Sequence, residues 1–355
     1  VLHAVADRIQ ASTVQLHAVA MGRAHGLGVD AVDRLELVVT EMASNIVRHA
    51  GAGQVILRPI GEHGAGCIEV LALDKGPGVG NMARAMRDDG SSSGGRSRDD
   101  GSSSGGRSRD AGLAGLAAVK RIANLFDIYS HSERGTAVVA HIGEPGAGDA
   151  SCCDADAIAH RYAGVVCVPL HDEVECGDAW AIHGTGGRLV AFIVDGLGHG
   201  PEAAAAARAA LALFRNATTD APELMLTSMH AALRTTRGAA ISVTVVDQVR
   251  RTARFCGVGN VDGRVLTADT KQHFIPQNGI VGHTMPLVRS VDLPWPTGGC
   301  LVMHSDGISS RWRSEDYPGL LARHPALLAG VIFRDCGRAR DDATVLVLRP
   351  PASSA

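Results

Sequence analysis

The sequence predicts an α+β chain in two parts, and three observations predict it. A small, polar, aperiodic stretch, GEPGAGDASCCDADA over 143–157, divides the 355 residues into a first part at 1–142, a linker at 143–160 and a second part at 161–350. Before the divide, helical apolar spacing is followed by short strand-like runs. After it, runs of strands are broken by a pair of helices, the order of an α+β sandwich and not of a βαβ series.

In the first part, VDRLELVVTEMASNIVRHA places Val32, Leu35, Val38, Val39, Met42 and Ile46 at helical spacing. QVILRPI and CIEVLALD read as paired strands, LAAVKRIANLF as a second amphipathic helix, and TAVVAHI as a closing strand. DGSSSGGRSRD stands at 89–99 and again, unchanged, at 100–110. Two copies are too few for a solenoid. Their composition predicts a mobile loop, and both a neutral duplication and a lid carrying arginines towards a phosphate fit it.

In the second part, AWAIHGTGGRLVAFIVD predicts a hairpin turning at 185–187. Helices are expected over 201–217 and 222–235, each with a proline near its start, where the missing N–H matters least. AAISVTVVDQ, RTARFCGVG, CLVMHSD and ATVLVLR predict strands.

Composition narrows the function classes. An apolar content of 45% supports packed cores. No uninterrupted apolar run of about 20 residues predicts a membrane span, and no basic-then-apolar start predicts a signal peptide. A formal charge of −3 gives no ground for nucleic-acid binding. The eight cysteines are scattered without a C-x-x-C, which fits reduced thiols in the cytoplasm.

Two constellations carry chemistry. Glu41 and Asn45 are four residues apart on one helix face, offset from the apolar stripe. LALDKGPGV then ends a strand with Asp74, Gly76 and Gly78, whose glycines admit a ligand close to the backbone. There is no Walker sequence, and no H-R-D or D-F-G. Taken singly, each piece also reads as a polar face or a turn.

The order E-x-x-x-N, D-x-G-x-G, a glycine-containing helix start and a strand opening with Gly135–Thr136 resembles the GHKL ATPase superfamily, and within it the anti-sigma-factor-type serine kinases. The resemblance covers nearly all of 1–142 and implies a Bergerat-type α/β sandwich binding ATP and Mg²⁺. It implies that Asn45 holds Mg²⁺, Asp74 accepts from the adenine amino group, Gly76 and Gly78 shape the base pocket, and Thr136 supports Asp74. It implies Glu41 as the general base for an attacking serine, with free N–H groups near Gly112 and Gly115 for the phosphates. Relatives carry alternating glycines here, whereas this chain reads AGLAGLAAVKR.

The second constellation is acidic. Asp178 precedes one strand, Asp195 ends another in FIVDGLGHGPEAAAA, Asp306 closes CLVMHSDG, and Asp341 and Asp342 precede the last strand. Brought together, such carboxylates repel, and divalent cations with oxygen ligands relieve them. A solvated turn or helix cap is the plain alternative for any one of them. As a set they resemble the metal-dependent serine/threonine phosphatases of the PP2C fold, in the SpoIIE-like branch, over about 162–349. The resemblance implies a β-sandwich flanked by helices and two Mn²⁺ or Mg²⁺ ions. These would be held by Asp195, the Gly196 carbonyl, Asp306 and Asp341, with Asp178 direct or through water. The adjacent Asp341 and Asp342 are not separable by sequence. His199 orients a phosphate or caps the turn, GVGN at 257–260 has no derivable chemistry, and no arginine is marked as a phosphate clamp.

Together the resemblances imply a cytoplasmic switch regulator that phosphorylates and dephosphorylates STAS-domain antagonists of a sigma-factor or stress cascade. A sigma factor as partner and a homodimer stay open. The alternative is a first domain that only binds its partner with ATP, leaving the phosphatase as the one enzyme.

Overall fold

The computed structural model describes residues 1–60, 66–79, 115–144, 162–185 and 187–350, and the chain divides into two compact units at Asp149–Ala150. The first unit is one antiparallel sheet with helices on a face. Its strands are β1 (Leu2–Val5), β2 (Gly53–Ile60), β3 (Cys67–Asp74), β4 (Leu125–His131) and β5 (Gly135–Gly143), in the order β1-β2-β3-β5-β4. Its helices are α1 (Arg8–Ala24), α2 (Val29–Asn45) and α3 (115–122). Asp7 caps α1 by accepting from the Gln10 N–H at 2.8 Å.

The expected stripe of α2 is buried: Leu35, Val38, Val39 and Met42 pack with Val14 and Ala18 of α1 and with Val55, Leu57, Ile68 and Val70 of the sheet. The alternation in β2 and β3 sends every second residue to this core. β5 runs through Gly143, and Glu144 Oε1 still accepts from the Gly28 N–H at 2.7 Å. The chain therefore leaves the first unit later than the compositional shift at 143 suggests. The duplicated loop at 89–110 and the remainder of the linker stretch lie outside the described residues.

The second unit is a sandwich of two antiparallel sheets. One has the order β13-β10-β9-β8-β7, from β7 (Asp178–Thr185), β8 (Arg188–Gly196), β9 (Ala239–Asp247), β10 (Thr252–Val258) and β13 (Val291–Pro294). The other has the order β12-β11-β14-β15-β6, from β6 (Ala163–Val168), β11 (Asp262–Leu266), β12 (Lys271–Phe274), β14 (Cys300–His304) and β15 (Ala343–Leu348). Their inner faces share a core of Ala191, Ile193, Val246, Phe255, Leu301, Met303 and Leu346. The outer face of the first sheet, with Val190, Phe192 and Val194, is covered by α4 (Pro201–Arg215) and α5 (Pro222–Ala232). Consecutive residues of β8 thus serve two cores, which is why its sequence is apolar without alternation. Phe192 stacks on Phe214 of α4 at 4.7 Å. α6 (Pro325–Cys336) covers β6 and β15, and Gly164 of β6 lies so close to it that a Cβ would fall 2.1 Å from the Ala326 nitrogen.

This topology brings the acids to one edge. Asp178 begins β7 directly opposite Asp195 near the end of β8. β14 and β15 are antiparallel neighbours, with Asp306 just beyond the end of one and Asp341 and Asp342 just before the start of the other.

Candidate functional site

In the first unit the site forms where α2 ends. Glu41 and Asn45 lie one turn apart, and beyond Asn45 the helix widens into a π turn over Ile46–Ala50. Such turns are frequent at functional positions. The Asn45 amide is shut off from solvent, and neither its oxygen nor its nitrogen has a hydrogen-bond partner among the described residues. Leaving a buried amide unpaired costs about 1–3 kcal/mol. Gly115 closes on the same pair, because a Cβ there would lie 2.2 Å from Glu41 Oε2.

Asp74 ends β3 with its Oδ1 accepting from the backbone N–H of Gly76 at 2.8 Å and of Thr136 at 3.1 Å. Gly135, at φ 86°, lets β5 start against this turn, since a Cβ would fall 2.1 Å from the Asp74 carbonyl oxygen. Gly76 packs on Ala50 at the end of the π turn, and Gly78 lies against the His131 carbonyl. Thr136 Oγ1 lies 3.1 Å from Ser130 Oγ, which accepts from the Val79 N–H at 2.7 Å. Glu41, Asn45, Asp74, Gly76, Gly78, Gly115 and Thr136 therefore occupy one continuous neighbourhood, while Gly112 lies outside the described residues.

In the second unit Asp178 is 4% exposed, and its Oδ1 is buried with no hydrogen-bond partner among the described residues. Its Oδ2 accepts from Ser305 Oγ at 2.6 Å. Burial, then the like charges of Asp342 and Asp341, push its carboxyl up to about 7 against the hydroxyls of Ser305 and Thr344. Asp195 is pushed up to about 9, first by burial and then by Asp178, Asp306, Asp341 and Asp342. Asp306 is raised by burial and by Asp341, with Arg338 and Asn260 opposing. Asn260 donates from Nδ2 to Asp306 Oδ2.

The two neighbouring acids separate by their partners. Asp342 is buried, with Oδ1 accepting from the Leu170 N–H at 2.8 Å and Oδ2 from the Gly177 N–H at 2.9 Å. Asp341 accepts from the Asp342 N–H at 3.0 Å and sits against Asp306. Gly196 has a packing reason to be glycine: a Cβ there would fall 2.3 Å from the Ala203 carbonyl oxygen in the first turns of α4. His199 Nδ1 lies 2.7 Å from Glu173 Oε1, which ties the 196–200 loop to the segment before β7. Ser305, Asn260 and Arg338 were not marked by sequence as site residues. Only the position of Ser305, immediately before Asp306, could have flagged it.

Residues 4–142 match the histidine kinase-like ATPase domain, and residues 185–351 match the stage II sporulation protein E (SpoIIE) family. The serine/threonine-protein kinase RsbT of Bacillus subtilis (strain 168) is 31% identical over 116 residues, which span 32% of this chain and 75% of that relative. The chain belongs to the first of these families and is a fusion, of a GHKL-like ATPase domain with a SpoIIE/PP2C-like phosphatase domain. The phosphoserine phosphatase RsbX of the same organism is 24% identical over 136 residues, spanning 38% of this chain and 68% of RsbX. A solved structure described as the bacterial stressosome, a modular system adapted to control secondary messenger signaling, matches at 29% identity and a TM-score of 0.50. That match covers 53% of this chain and 98% of the other.

The fusion is therefore a regulator of the kinase-and-phosphatase type. No helix among its described residues is long and apolar enough to cross a membrane. Its residues fit the groups that these families use. In the ATPase-type domain, the orphaned Asn45 amide beside Glu41 and the bare backbone of Gly115 suit a metal-bound phosphate chain. In the phosphatase-type domain, an oxygen-only donor set with an unpartnered buried Asp178 oxygen suits Mg²⁺ or Mn²⁺.

Proposed function

We propose that the phosphatase-type domain hydrolyses phosphoserine or phosphothreonine on a STAS-type partner of a stressosome-like pathway, and that the ATPase-type domain phosphorylates serine or threonine on such a partner. The likeness to RsbT and RsbX, a kinase and a phosphatase by name, supports this pairing. The observation that carries it is the placing of Asp178, Asp195, Asp306 and Asp341 at one edge of the two sheets, where burial and then neighbouring carboxylates push Asp178, Asp195 and Asp306 up.

Asp195, the Gly196 carbonyl, Asp306 and Asp341 hold two Mn²⁺ or Mg²⁺ ions, with Asp178 oriented by Ser305 as a direct or water-linked ligand. When bound, the ions neutralise phosphoryl charge and supply an activated water. Asp342 instead holds the backbone of residues 170 and 177 in place. In the first domain Asn45 holds Mg²⁺ and Asp74 accepts from the adenine amino group. Gly76, Gly78 and Thr136 frame the base, and Gly112 and Gly115 admit the phosphates. Glu41 takes the proton of the serine or threonine hydroxyl as its oxygen bonds to the γ-phosphorus and ADP leaves.

A second reading, a first domain that binds its partner with ATP and transfers nothing, is favoured by one feature. AGLAGLAAVKR has only Gly112 and Gly115 where alternating glycines are usual, and Leu116 is buried. Incubating the purified chain with γ-labelled ATP and the STAS proteins encoded nearby, with and without Mn²⁺, tests both. Label on a partner that is later released only with Mn²⁺ is the expected result. ATP binding without transfer selects the second reading, and label indifferent to Mn²⁺ ends the phosphatase proposal.

A further inference from the structure

We propose that Arg338 binds the substrate's phosphoryl group at the rim of the Asp195–Asp306–Asp341 cluster, an inference that rests on the phosphatase reading. A phosphomonoester brings a charge of about −1.5 to −2 and three acceptor oxygens. Ions neutralise part of that charge, and fixed donors must hold the remaining oxygens. His199, the obvious polar side chain of the Asp195 loop, is engaged with Glu173.

Arg338 is built into the other side of the cluster. Its backbone is fastened to the loop that carries Asp306: Gly337 bridges Ile308, Ser309 N–H donates to the Cys336 carbonyl at 2.8 Å, and Arg338 N–H donates to the Gly307 carbonyl at 2.7 Å. Its side chain returns to the same loop, with one terminal nitrogen donating to the Asp306 carbonyl at 2.8 Å. That contact occupies one of the five guanidinium donors. Arg338 is exposed, and it makes no ion pair with a carboxylate among the described residues. A guanidinium held in place by backbone, beside carboxylates that take up cations, has its remaining N–H groups for an anion that arrives with those cations. Arg237, another arginine near this edge, lies against Gly198 and is spent on an ion pair with Glu202.

The test uses the full chain loaded with Mn²⁺. Arg338→Ala is expected to raise KM for a phosphoserine protein and the inhibition constant of inorganic phosphate by about 10-fold or more, the scale of a lost charge-assisted hydrogen bond. Mn²⁺ affinity by calorimetry and the melting temperature are expected to stay at wild-type values, and Arg338→Lys to recover part of the loss. Unchanged KM and phosphate inhibition overturn the proposal. So does a loss of Mn²⁺ affinity that accounts for the rate, which makes Arg338 a positioning residue for Asp306, and so does finding the KM effect in Arg237→Ala instead. A wild-type chain that neither hydrolyses the phosphoprotein nor binds phosphate with Mn²⁺ sinks the phosphatase reading with it. An active wild type with an indifferent Arg338→Ala sinks this inference alone. Phosphate binding that depends on Arg338 in an inactive wild type supports the site.

Discussion

Glu69 in the first domain and Asp178 in the second are carboxylates of almost equal burial, at 1% and 4% exposure, in opposite electrostatic settings. Glu69 lies on β3 between Arg58 of β2 and His141 of β5, with Arg58 Nε at 2.9 Å and His141 Nε2 at 3.0 Å. Its own burial pushes its carboxyl up, but the charge of Arg58 and the His141 hydrogen bond outweigh that and hold it well below the usual carboxylate range. Asp178 has only hydroxyls, Ser305 and Thr344, to offset its charge, and other aspartates around it. A carboxylate supplied with cations by its own fold is complete, whereas one surrounded by its own kind requires something from solution. The contrast separates structural acids from candidate metal ligands better than burial does.

The largest expected effect comes from that requirement. Asp195→Asn should lower Mn²⁺-dependent dephosphorylation by about 10³-fold or more, since it removes a ligand of the activating ions. It should also raise the melting temperature of the metal-free second domain near neutral pH, because the fold no longer has to protonate a buried carboxyl there. A variant that keeps most of its rate and dependence on Mn²⁺ would show that Asp195 holds no metal. The counterpart in the first domain is Glu41→Ala, expected to reduce phosphoryl transfer by about 10²–10⁴-fold, the range for removing a general base. ATP affinity and dephosphorylation should be unaffected, and persistence of transfer would remove Glu41 from the chemistry.

The strand-end acids were legible because each interrupts an apolar run, and the resemblance assigned them roles. What sequence could not separate was Asp341 from Asp342. Adjacent residues at a strand start point to opposite sides, and only the fold shows that Asp342 meets the backbone N–H groups of 170 and 177. Arg338 was invisible for a similar reason, since its value comes from a loop 32 residues away in sequence. β1, α1, β4, β6, β11, β12, β13 and α6 drew no expectation. β6, AGVVCV, abuts the polar linker, and its pairing partner β15 lies almost at the other end of the second part. α6, PALLAGVIFRDC, is apolar on most sides because it is buried from Pro325 through Ile332, so it lacks a stripe.

A smaller effect sharpens the Asp341–Asp342 contrast. Asp342→Asn keeps the shape but can accept at only one of its two atoms, leaving the Leu170 or Gly177 N–H unpaired. It should destabilise the second domain by about 1–3 kcal/mol. Asp341→Asn should cost little stability and most of the phosphatase rate. The reverse pattern in urea unfolding and turnover would exchange the roles of the two acids.

The mildest test uses pH alone. Burial and neighbouring carboxylates push Asp178 up to about 7 and Asp195 up to about 9, from an ordinary aspartate value of 3.8. The metal-free folded state therefore binds protons more tightly than the unfolded chain. That contribution to stability is complete below the unfolded value and is lost as pH rises through 7 towards 9. Glu69 has the opposite sign, because its depressed carboxyl contributes above the unfolded value of 4.5 and loses that contribution only as pH falls below it. All three tryptophans, Trp180, Trp295 and Trp312, lie in the second domain, so their fluorescence reports its unfolding alone. Without metal, the tryptophan-monitored melting temperature should fall by several degrees between pH 5 and 9. Saturating Mn²⁺ should flatten that slope, since cations replace the protons. A metal-free curve already flat over this range would mean that the aspartates do not share one desolvated site, and the contrast with Glu69 would then have no physical basis.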